Sequence, residues 1–543
     1  MTESDGALAK EARSADGMTL TDLARELPGG KASVEGDGSV RCFGVHHDSR
    51  RVDAGDLFVV RRGEHYDGSA FIGNAIARGA VALLAERGLA LSSTIPVLRV
   101  DDVPTGLAYT AAAVYGHPAF SLDIVGITGT NGKTTTSHLV RAAIDGALGL
   151  PKCGIVGTIG HTYAGSTIAA AHTTPEADEL ARVLAVMRKR GATHVAMEVS
   201  SIALVLGRVK AVRFRVAAFT NLTQDHLDFH GSMSAYADAK RMLFTSAEPG
   251  LAVINVDDPF GAQLAAGAKC KVLRVRTKPG SSLDGDVVPL SVDASASGMR
   301  ITARVPAGTV EIASRLVGLH NVENLLVAIG IASALDLDVE RAAAALANEI
   351  GAPGRLERCD GPDDEIVVLV DYAHTPDALA RVLDAVRDVS LPVDEAGGSR
   401  ALAPRLICVF GCGGDRDPTT RAPMGEAAGA RADLAIVTSD NPRTEAPEAI
   451  AEPIEEGIRA SGLTRLAPQE LASAGKGYVV ELDRQRAIAL AIEAARPGDI
   501  VLLAGKGHED YQIVGTTKRP FDDRAEARAA LTARRAKSPR EHD

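Results

Sequence analysis

A glycine-rich loop that contains a Lys-Thr pair is the part of the sequence that most directly indicates chemistry. The loop, Thr128-Gly-Thr-Asn-Gly-Lys-Thr134, follows the apolar run 124–128 and precedes a helical pattern. In such an arrangement, backbone N–H groups and the N-terminus of the helix bind phosphate oxygens. Lys133 is expected to contact the outer phosphates, and the hydroxyl of Thr134 is expected to bind Mg²⁺. The loop therefore predicts an enzyme that uses ATP.

The spacing of this loop differs from the common phosphate-binding pattern G-x-x-x-x-G-K-[ST]. The first glycine of that pattern would fall at Ile127, whereas the loop has its glycine at Gly129. A chance glycine-rich turn is the alternative, but the strand before the loop and the helix after it favour a shorter variant of the phosphate loop. The ATP-binding residues predicted in the loop are Gly129, Thr130, Asn131, Gly132, Lys133, Thr134 and Thr135.

Polar side chains follow two further apolar runs that predict buried strands. Glu198 lies in the segment 197–201, and His226 lies in the segment 221–228 after the next run. The carboxyl ends of parallel strands share one edge of a sheet, so both residues are expected beside the phosphate loop. Glu198 and His226 are suitable ligands for a divalent cation. A capping or ion-pair role for Glu198 and a structural role for His226 are the alternatives.

Composition limits the class of protein. The chain has 543 residues and a formal net charge of −11, which predicts about three domains and disfavours a general nucleic-acid binder. It has no apolar run of about 18 residues, and its polar first segment lacks the apolar region of a secretory signal. The six cysteines lie far apart, which favours reduced thiols. We expect a cytoplasmic, monomeric protein that binds neither nucleic acid nor a membrane.

The alternation of strand and helix patterns predicts an α/β protein with mainly parallel sheets. The predicted domains are an N-terminal α/β domain over residues 1–118, a central P-loop-like domain over 119–350 and a C-terminal Rossmann-like domain over 351–543. About 17 residues at the start are expected to be disordered. The insert 391–400 and the tail after residue 535 are expected to be solvated. Predicted strands include Val216–Thr220, Leu406–Phe410 and Ile500–Ala504.

Several stretches together resemble the Mur ligase family of peptidoglycan synthesis, and most closely its diaminopimelate-adding members. They cover nearly the whole chain and comprise residues 128–136, 197–201, 221–228, 230–240, 318–324, 354–357, 371–377, 411–417, 440–443 and 505–511. The resemblance implies an ADP-forming amide ligation in two stages. ATP phosphorylates a terminal carboxylate, and an amine then attacks the acyl phosphate. The expected substrates are UDP-N-acetylmuramoyl-L-alanyl-D-glutamate and meso-diaminopimelate.

The resemblance also implies roles for residues around the nucleotide. Lys240 matches a lysine that carries a carbamate formed with CO₂, whereas an isolated lysine near a helix start is usually a solvated surface charge. The implied catalytic residues are Lys133, Glu198, His226 and Lys240. The implied metal ligands, for Mg²⁺, are Thr134, Glu198, His226 and the carbamate of Lys240. The implied ATP contacts outside the loop are Asn321, Asn324, Arg355 and Asp371, with helix-end capping as the alternative for the two asparagines.

Two further sets match the substrate contacts of the family. The N-terminal domain is expected to bind the uridine diphosphate. The contacts expected for the UDP-linked substrate are Ser49, Glu64, His65, Tyr66, Thr173, Thr174, Ser200 and Arg208. As bare sequence, the first four are merely turn residues. Two positions depart from the family pattern, where Ile202 and Leu206 replace a frequent His and an occasional Gln.

The choice of amine depends on the segment 440–443. The side chain of Arg443 offers a planar fork that can pair with a second carboxylate, which diaminopimelate has and lysine lacks. The contacts expected for diaminopimelate are Arg416, Asp440, Asn441, Pro442, Arg443, Gly505 and Glu509. A plain Asn-Pro turn is the alternative for the segment. The alternative functions are a different amide ligase, such as folylpolyglutamate synthetase or another enzyme of the Mur ligase family, and an inactive nucleotide-binding scaffold.

Overall fold

The structure, a computed structural model, describes residues 8, 10–30, 32–62, 67–278, 280, 284–295, 298–388 and 404–537. The chain divides into two compact units. The first comprises Met1–Leu290, Thr302–Glu311 and Glu323–Leu346, and the second comprises Ser291–Ile301, Ile312–Val322 and Ala347–Asp543.

The largest sheet of the first unit has eight strands. Its order is Ser166–Ile168, Gly160–Tyr163, Cys153–Gly157, His194–Glu198, Asp123–Thr128, Phe214–Phe219, Leu251–Asn255 and Lys271–Val275. The last six strands pair in parallel, and Gly160–Tyr163 pairs antiparallel with both of its neighbours. The inner strands are nearly continuous runs of buried apolar residues, as expected for a parallel sheet covered on both faces.

The helices that belong with this sheet alternate with its strands. They are Lys133–Leu148, Ala177–Lys189, Ser201–Val205, Leu227–His230, Met233–Thr245, Pro259–Gly267 and Val339–Leu346, together with His320–Ala334, which begins in the second unit. The strand Asp123–Thr128 lies between His194–Glu198 and Phe214–Phe219. The loop that follows it is therefore central in the sheet, where the carboxyl ends of neighbouring strands surround it.

A second sheet of the first unit is formed by the start of the chain. Its order is Ser33–Glu35, Val97–Val100, Ala82–Glu86, Asp56–Val59 and Gly44–His46. The helices here are Leu20–Arg25, Ile72–Ala77 and Val103–Val114, and Met18–Thr19 pairs with Arg41–Cys42.

Part of the segment expected to be disordered makes specific contacts instead. Arg13 forms an ion pair with Asp56 at 3.1 Å, and Glu11 accepts two hydrogen bonds from Arg190 at 2.8 and 2.6 Å. The expectation rested on the polar local sequence, whereas these partners are distant in the chain. Residues 1–7 and 9 lie outside the described residues.

The second unit has a six-stranded sheet with the order Glu357–Arg358, Val367–Asp371, Ile500–Ala504, Leu406–Phe410, Leu434–Val437 and Gly477–Val480. The last five strands pair in parallel. Its helices are Pro376–Asp388, Arg421–Arg431, Pro447–Ala460, Arg484–Ala494 and Asp523–Lys537, and a hairpin joins Tyr511–Val514 to Thr517–Pro520. A three-stranded sheet, whose residues are divided between the two units, has the order Val288–Ser295, Gly298–Val305 and Gly308–Ser314.

The α/β class and the parallel sheets are confirmed. The insert 391–400 and the residues after Lys537 lie outside the described residues. Within the part that is described, no helix is both long enough and apolar enough to cross a membrane. The domain boundaries at residues 118 and 350 stay predictions.

Candidate active site

The phosphate loop lies between the central strand Asp123–Thr128 and the helix Lys133–Leu148, which is the predicted order of elements. Gly132 caps this helix with a φ of +83°, a conformation that favours glycine. A Cβ at Gly132 would collide with Oδ1 of Asn324, and a Cβ at Gly129 would collide with the hydroxyl of Thr220. Both glycines therefore allow close approach of neighbouring groups to the loop.

Two lysine ammonium groups converge on one carbonyl of the loop. Lys133 Nζ donates hydrogen bonds to the carbonyl oxygens of Gly129 and Thr130, both at 2.9 Å. Lys240 Nζ donates to the same Gly129 oxygen at 2.8 Å and lies 4.4 Å from the centre of the Tyr236 ring. Only 1% of Lys240 is exposed. The lysine of the segment 230–240 is therefore not a solvated surface charge.

Burial and the nearby charge of Lys133 lower the pKa of Lys240 well below its ordinary value. Burial penalises the charged ammonium because it removes water from around the ion, and a second cation adds repulsion. The weaker attraction of Asp225 acts in the opposite direction. The site therefore favours the neutral amine of Lys240.

Thr134 and Glu198 lie side by side at the carboxyl ends of the central strands. Thr134 Oγ1 donates to Glu198 Oε2 at 2.9 Å, and Thr158 donates to both carboxylate oxygens through its backbone N–H at 2.8 Å and its hydroxyl at 3.2 Å. A hydroxyl and a buried carboxylate are the hard oxygen ligands that Mg²⁺ prefers, so these residues fit the implied metal. Within the described residues, no group of three or more His, Cys, Asp or Glu side chains is arranged to hold a metal.

His226 lies at the rim of this region. It has a φ of +51° before the short helix Leu227–His230, and its side chain is 44% exposed. Its Nε2 lies 3.5 Å from Asp225 Oδ2, and its ring packs edge-on against Tyr236 at 6.2 Å. Tyr236 in turn lies 3.2 Å from the hydroxyl of Thr130. The role of His226 as a metal ligand stays a prediction.

The remaining predicted ATP contacts fall in both units. Asn324 accepts a hydrogen bond from the Thr136 hydroxyl at 3.1 Å, which places it against the phosphate loop. Asn321 donates to the carbonyl of Val317 at 2.8 Å, in the second unit. Arg355 and Asp371 also belong to the second unit, so their share in the nucleotide site stays a prediction.

Asp371 has a buried carboxylate with a hydrogen bond to each of its oxygens. Its two oxygens accept hydrogen bonds from the backbone N–H groups of Leu356 and Ala373, both at 2.8 Å. Burial raises its pKa, and the charge of Arg355 opposes that shift. The guanidinium of Arg355 lies 5.0 Å from the centre of the Tyr372 ring. The Asp371 carboxylate is thus held in place by the backbone of its own unit.

One residue expected at the UDP-linked substrate, Arg208, contacts Glu176. Arg208 forms an ion pair with Glu176 at 2.6 Å, and Arg61 binds its other oxygen at 2.8 Å. Arg208 also donates to the carbonyl of Thr174 at 3.0 Å. The Thr174 hydroxyl accepts a hydrogen bond from the backbone N–H of Ser200 at 3.0 Å. Thr174, Ser200 and Arg208 are therefore close together.

Two other residues expected at the UDP-linked substrate are also described. Thr173 Oγ1 is 3.0 Å from the hydroxyl of Thr158, and Ser49 is buried at the start of the turn Ser49–Arg51. Glu64, His65 and Tyr66 lie outside the described residues. The assignments to the UDP-linked substrate stay predictions.

The second unit brings acidic and basic side chains together at the carboxyl ends of its strands. Asn441 Nδ2 donates to Glu509 Oε2 at 3.0 Å, and Asp440 is buried beside them. Burial raises the pKa of Asp440, and the charges of Arg484 and Lys506 oppose the shift.

Two arginines border the same region. A Cβ added at Gly413 would lie 3.1 Å from a terminal nitrogen of Arg443 and 3.5 Å from Cγ of Arg416. Arg443 has a φ of +51°, and its side chain donates to the carbonyl of Gly414 at 2.6 Å. Its backbone also bonds to the hairpin, because its N–H donates to the Ile513 carbonyl at 3.1 Å. Hydrogen bonds therefore fix both the backbone and the guanidinium group of Arg443.

Sequence reasoning missed three residues that the structure places in these sites. Lys506 is wholly buried within hydrogen-bond distance of Asn441 and Glu509. Tyr236 lies between Thr130 and Lys240, and Glu176 holds Arg61 and Arg208. Lys506 and Tyr236 belong to stretches that carried the family resemblance, which was the available signal. Glu176 had no such signal.

Comparisons with known proteins identify the family of the chain. Three family models match: the Mur ligase family catalytic domain over residues 43–121, the Mur ligase middle domain over 127–332, and the Mur ligase glutamate ligase domain over 354–507. The matches follow the predicted order of three domains.

Full-length relatives share one name, UDP-N-acetylmuramoyl-L-alanyl-D-glutamate–2,6-diaminopimelate ligase. The protein of that name from Gloeobacter violaceus is 46% identical over 91% of this chain and 94% of its own length. The one from Geobacter metallireducens is 44% identical over 95% of this chain and 98% of its own length. A solved structure of a ligase with this name is 32% identical, has a TM-score of 0.68 and covers 96% of this chain and 99% of its own. The resemblance is confirmed, and the chain belongs to the Mur ligase family.

Proposed function

We propose that the chain is an ATP-dependent amide ligase that adds meso-diaminopimelate to UDP-N-acetylmuramoyl-L-alanyl-D-glutamate in peptidoglycan precursor synthesis. The relatives that match over nearly the whole chain bear the name of this ligase. The observation within the molecule that carries the proposal is the presence of two arginines on one side of Gly413 and of the acidic residues Asp440 and Glu509 nearby in the second unit.

The amine site has opposite charges on its two sides. Arg443 and Arg416 border Gly413, while Asp440, Asn441 and Glu509 supply carboxylate and amide oxygens. A substrate with carboxylates and ammonium groups at both ends suits such a site. Lysine would leave the guanidinium of Arg443 without its carboxylate, and a site built to pair a charged group strongly rejects an analogue that lacks it.

The first stage of the proposed reaction takes place at the phosphate loop. An oxygen of the substrate's terminal carboxylate attacks the γ-phosphorus of ATP, the bond to the β-phosphate oxygen breaks, and ADP leaves. Lys133 and the loop N–H groups stabilise the negative charge of the transferred group, which is the main task in phosphoryl transfer. Bound Mg²⁺ would neutralise phosphate charge, held by Thr134 and Glu198 with a contribution from His226.

Lys240 is proposed to carry a carbamate. Only a neutral amine attacks CO₂, forming a C–N bond and releasing a proton. The burial of Lys240 and the nearby Lys133 favour that neutral form. The product is an anion beside the ammonium group of Lys133, so it can be stabilised by that cation and can orient Mg²⁺.

The second stage forms the amide. The free amine of diaminopimelate attacks the acyl carbon and forms a C–N bond in a tetrahedral intermediate. The nitrogen then loses a proton to solvent, and phosphate leaves with the bonding electrons of the C–O bond. Asp440, Asn441, Glu509 and the arginines orient the amino acid so that one amine is directed at the acyl phosphate. The proposed contacts to the UDP-linked substrate, including Thr174, Ser200 and Arg208, hold the other reactant in place.

ADP release by the purified protein tests the proposal. It should require ATP, Mg²⁺, UDP-N-acetylmuramoyl-L-alanyl-D-glutamate and diaminopimelate together, and the product should be heavier than the UDP-linked substrate by one amide-linked diaminopimelate. An inactive scaffold would bind ATP without any turnover. A folylpolyglutamate-type ligase would use glutamate with a different acceptor.

The setting of the reaction is also part of the proposal. ATP and a nucleotide-linked precursor are the substrates, so we propose that the enzyme acts in the cytoplasm. We also propose that it acts as a monomer, because a single chain carries the whole set of assigned residues. Sedimentation of the purified protein at working concentration tests the monomer, and a stable dimer would contradict it.

A further inference from the structure

A buried ammonium group lies inside the amine site of the second unit. Lys506 follows the strand Ile500–Ala504, and none of its side chain is exposed. Its Nζ donates to Glu509 Oε2 at 3.1 Å and to Asn441 Oδ1 at 3.4 Å, and it lies 3.6 Å from Asp440 Oδ1. An ammonium without water is stable only where nearby acceptors and opposite charges compensate it.

The partners of Lys506 also bond to each other. Glu509 Oε2 accepts a second hydrogen bond from Asn441 Nδ2 at 3.0 Å, and Asn441 Oδ1 accepts from the backbone N–H of Ile513 at 3.0 Å. These contacts fix which way the Asn441 amide faces, with its oxygen toward Lys506 and its nitrogen toward Glu509. We call Asp440, Asn441, Lys506 and Glu509 the amine cluster.

The formal charges of the amine cluster do not sum to zero. Its two carboxylates carry two negative charges, Lys506 carries one positive charge and Asn441 is neutral, so one negative charge is uncompensated. Asp440 Oδ1 is buried and has no hydrogen-bond partner among the described residues. One unpaired negative charge, close to an oxygen that lacks a donor, is suited to a single ammonium group of a ligand.

Other charges around the cluster do not alter this balance. Arg484 and Asp523 face Asp440, but they form a buried pair of their own at 2.6 Å. Arg443 and Arg416 lie on the side of Gly413, where a substrate carboxylate is proposed to bind. Lys506 is thus the cation in hydrogen-bond contact with the cluster's own carboxylate.

We propose that Lys506 is a positioning residue for the amine substrate, which fixes Asn441 and Glu509 and reduces the cluster to the charge of one ammonium ligand. This inference rests on the proposed function. Lys506 has no exposed surface, so it acts through Asn441, Glu509 and Asp440 and does not touch the substrate. Without it, two carboxylates would share this site with no cation in hydrogen-bond contact, and their mutual repulsion would disfavour the doubly ionised state.

The substitution Lys506→Met tests the proposal because it keeps the length of the side chain and removes the charge. We expect the KM for diaminopimelate to rise at least about tenfold, as for a lost charge-assisted hydrogen bond. The KM values for ATP and the UDP-linked substrate should change less than about twofold. The acid limb of kcat/KM for diaminopimelate should move to higher pH, because the carboxylates need to be ionised to bind an ammonium group.

A matched control and a second variant keep the test decisive. Lys518→Met removes an exposed lysine that lies against Tyr511, on the other strand of the hairpin that both residues belong to. It should leave kcat and the KM values for all three substrates unchanged. If Lys506→Met does not fold, Lys506→Gln keeps a hydrogen-bond donor without the charge and should show the same shift of the acid limb. The effect of Lys506→Met should also be smaller in a Glu509→Gln background, because the two residues act together.

Other outcomes would overturn the inference. A folded Lys506→Met protein with unchanged KM and pH profile would show that the charge is not needed. Equal losses for all three substrates, with an additive effect in the Glu509→Gln background, would show a merely structural role. If the wild-type protein uses an amine other than diaminopimelate, the proposed function fails, and the same comparison with that amine still tests Lys506.

Discussion

Lys240 and Lys506 are both almost wholly buried, yet their surroundings are opposite. Lys240 shares the carbonyl oxygen of Gly129 with the ammonium of Lys133. Lys506 lies between two carboxylates and an amide oxygen. Burial alone destabilises either ammonium, so the neighbours decide what the residue can do. A second cation favours a neutral amine that can react with CO₂, whereas the amine cluster surrounds Lys506 with groups of opposite charge and with hydrogen-bond acceptors.

The same contrast separates the two binding regions. The phosphate loop gathers cations and N–H donors, and it is suited to a polyanion such as ATP. The amine cluster gathers carboxylates around one cation, and it is suited to an ammonium group. A variant of Lys240 should therefore affect the reaction of ATP, whereas a variant of Lys506 should affect the binding of diaminopimelate. This difference can be measured.

The largest expected effect follows from loss of the amine in the phosphate region. Lys240→Met should lower kcat by about 10³-fold, because a group that stabilises the transferred phosphate or its metal is lost. The KM for diaminopimelate should stay within about threefold of the wild-type value. Steady-state kinetics with each substrate varied checks this, with Lys518→Met as the control. A variant that keeps a tenth or more of the activity would contradict the role of Lys240.

The next effect concerns the basic side of the amine site. Arg443→Ala should lower kcat/KM for diaminopimelate by about 10²-fold or more, because a substrate carboxylate loses its charged partner. The KM for ATP should not change. Arg486→Ala, which removes an arginine whose side chain is 75% exposed, is the matched control. If the KM for diaminopimelate barely moves, Arg443 does not recognise the substrate.

The two lysines should have opposite effects on stability. Lys506→Met should lower the free energy of unfolding by about 2 kcal/mol, because it leaves partly buried carboxylates without their cation. Lys240→Met should not lower it, since among the described residues Lys240 bonds to the Gly129 carbonyl rather than to a carboxylate, and an apolar chain fits a buried site. Urea unfolding followed by circular dichroism compares them. Equal losses from both variants would contradict the contrast.

The smallest effect is a pH dependence at Lys240. Its pKa in the folded protein is below that of the unfolded chain, so the unfolded chain binds more protons and the stability of the wild type rises with pH. Lys240→Met removes this term. In CO₂-free buffer, the gain in Tm of the variant should be largest at acid pH and shrink toward the ordinary lysine pKa of about 10.4. A gain that is independent of pH would show that Lys240 does not titrate as described.

The sequence predicted the fold best where strands are buried apolar runs. Leu406–Phe410 and Ile500–Ala504 have the predicted bounds, because apolar residues end abruptly at glycine or polar residues. Val216–Thr220 is instead Phe214–Phe219, since Arg215 interrupts the apolar pattern. The phosphate loop was found from its glycines and its Lys-Thr pair, which local backbone chemistry requires.

Long-range contacts were not predictable in the same way. Lys506 lies between two glycines, a local pattern typical of an exposed loop, and its burial depends on residues 440 and 441. Glu11 and Arg13 lie in a polar segment, and their partners are distant in the chain. Glu176 holds arginines from two different predicted domains. Pairings of this kind depend on the tertiary structure and leave no periodic signal.

The amine that the enzyme selects is the most direct measurement of the central claim. Purified protein is given ATP, Mg²⁺, UDP-N-acetylmuramoyl-L-alanyl-D-glutamate and an equimolar mixture of meso-diaminopimelate, lysine, glutamate and D-alanyl-D-alanine, and the products are separated by mass. The arginines beside Gly413 and the amine cluster predict that nearly all product carries diaminopimelate. A product that carries mainly lysine, or any of the other amines, would contradict the account.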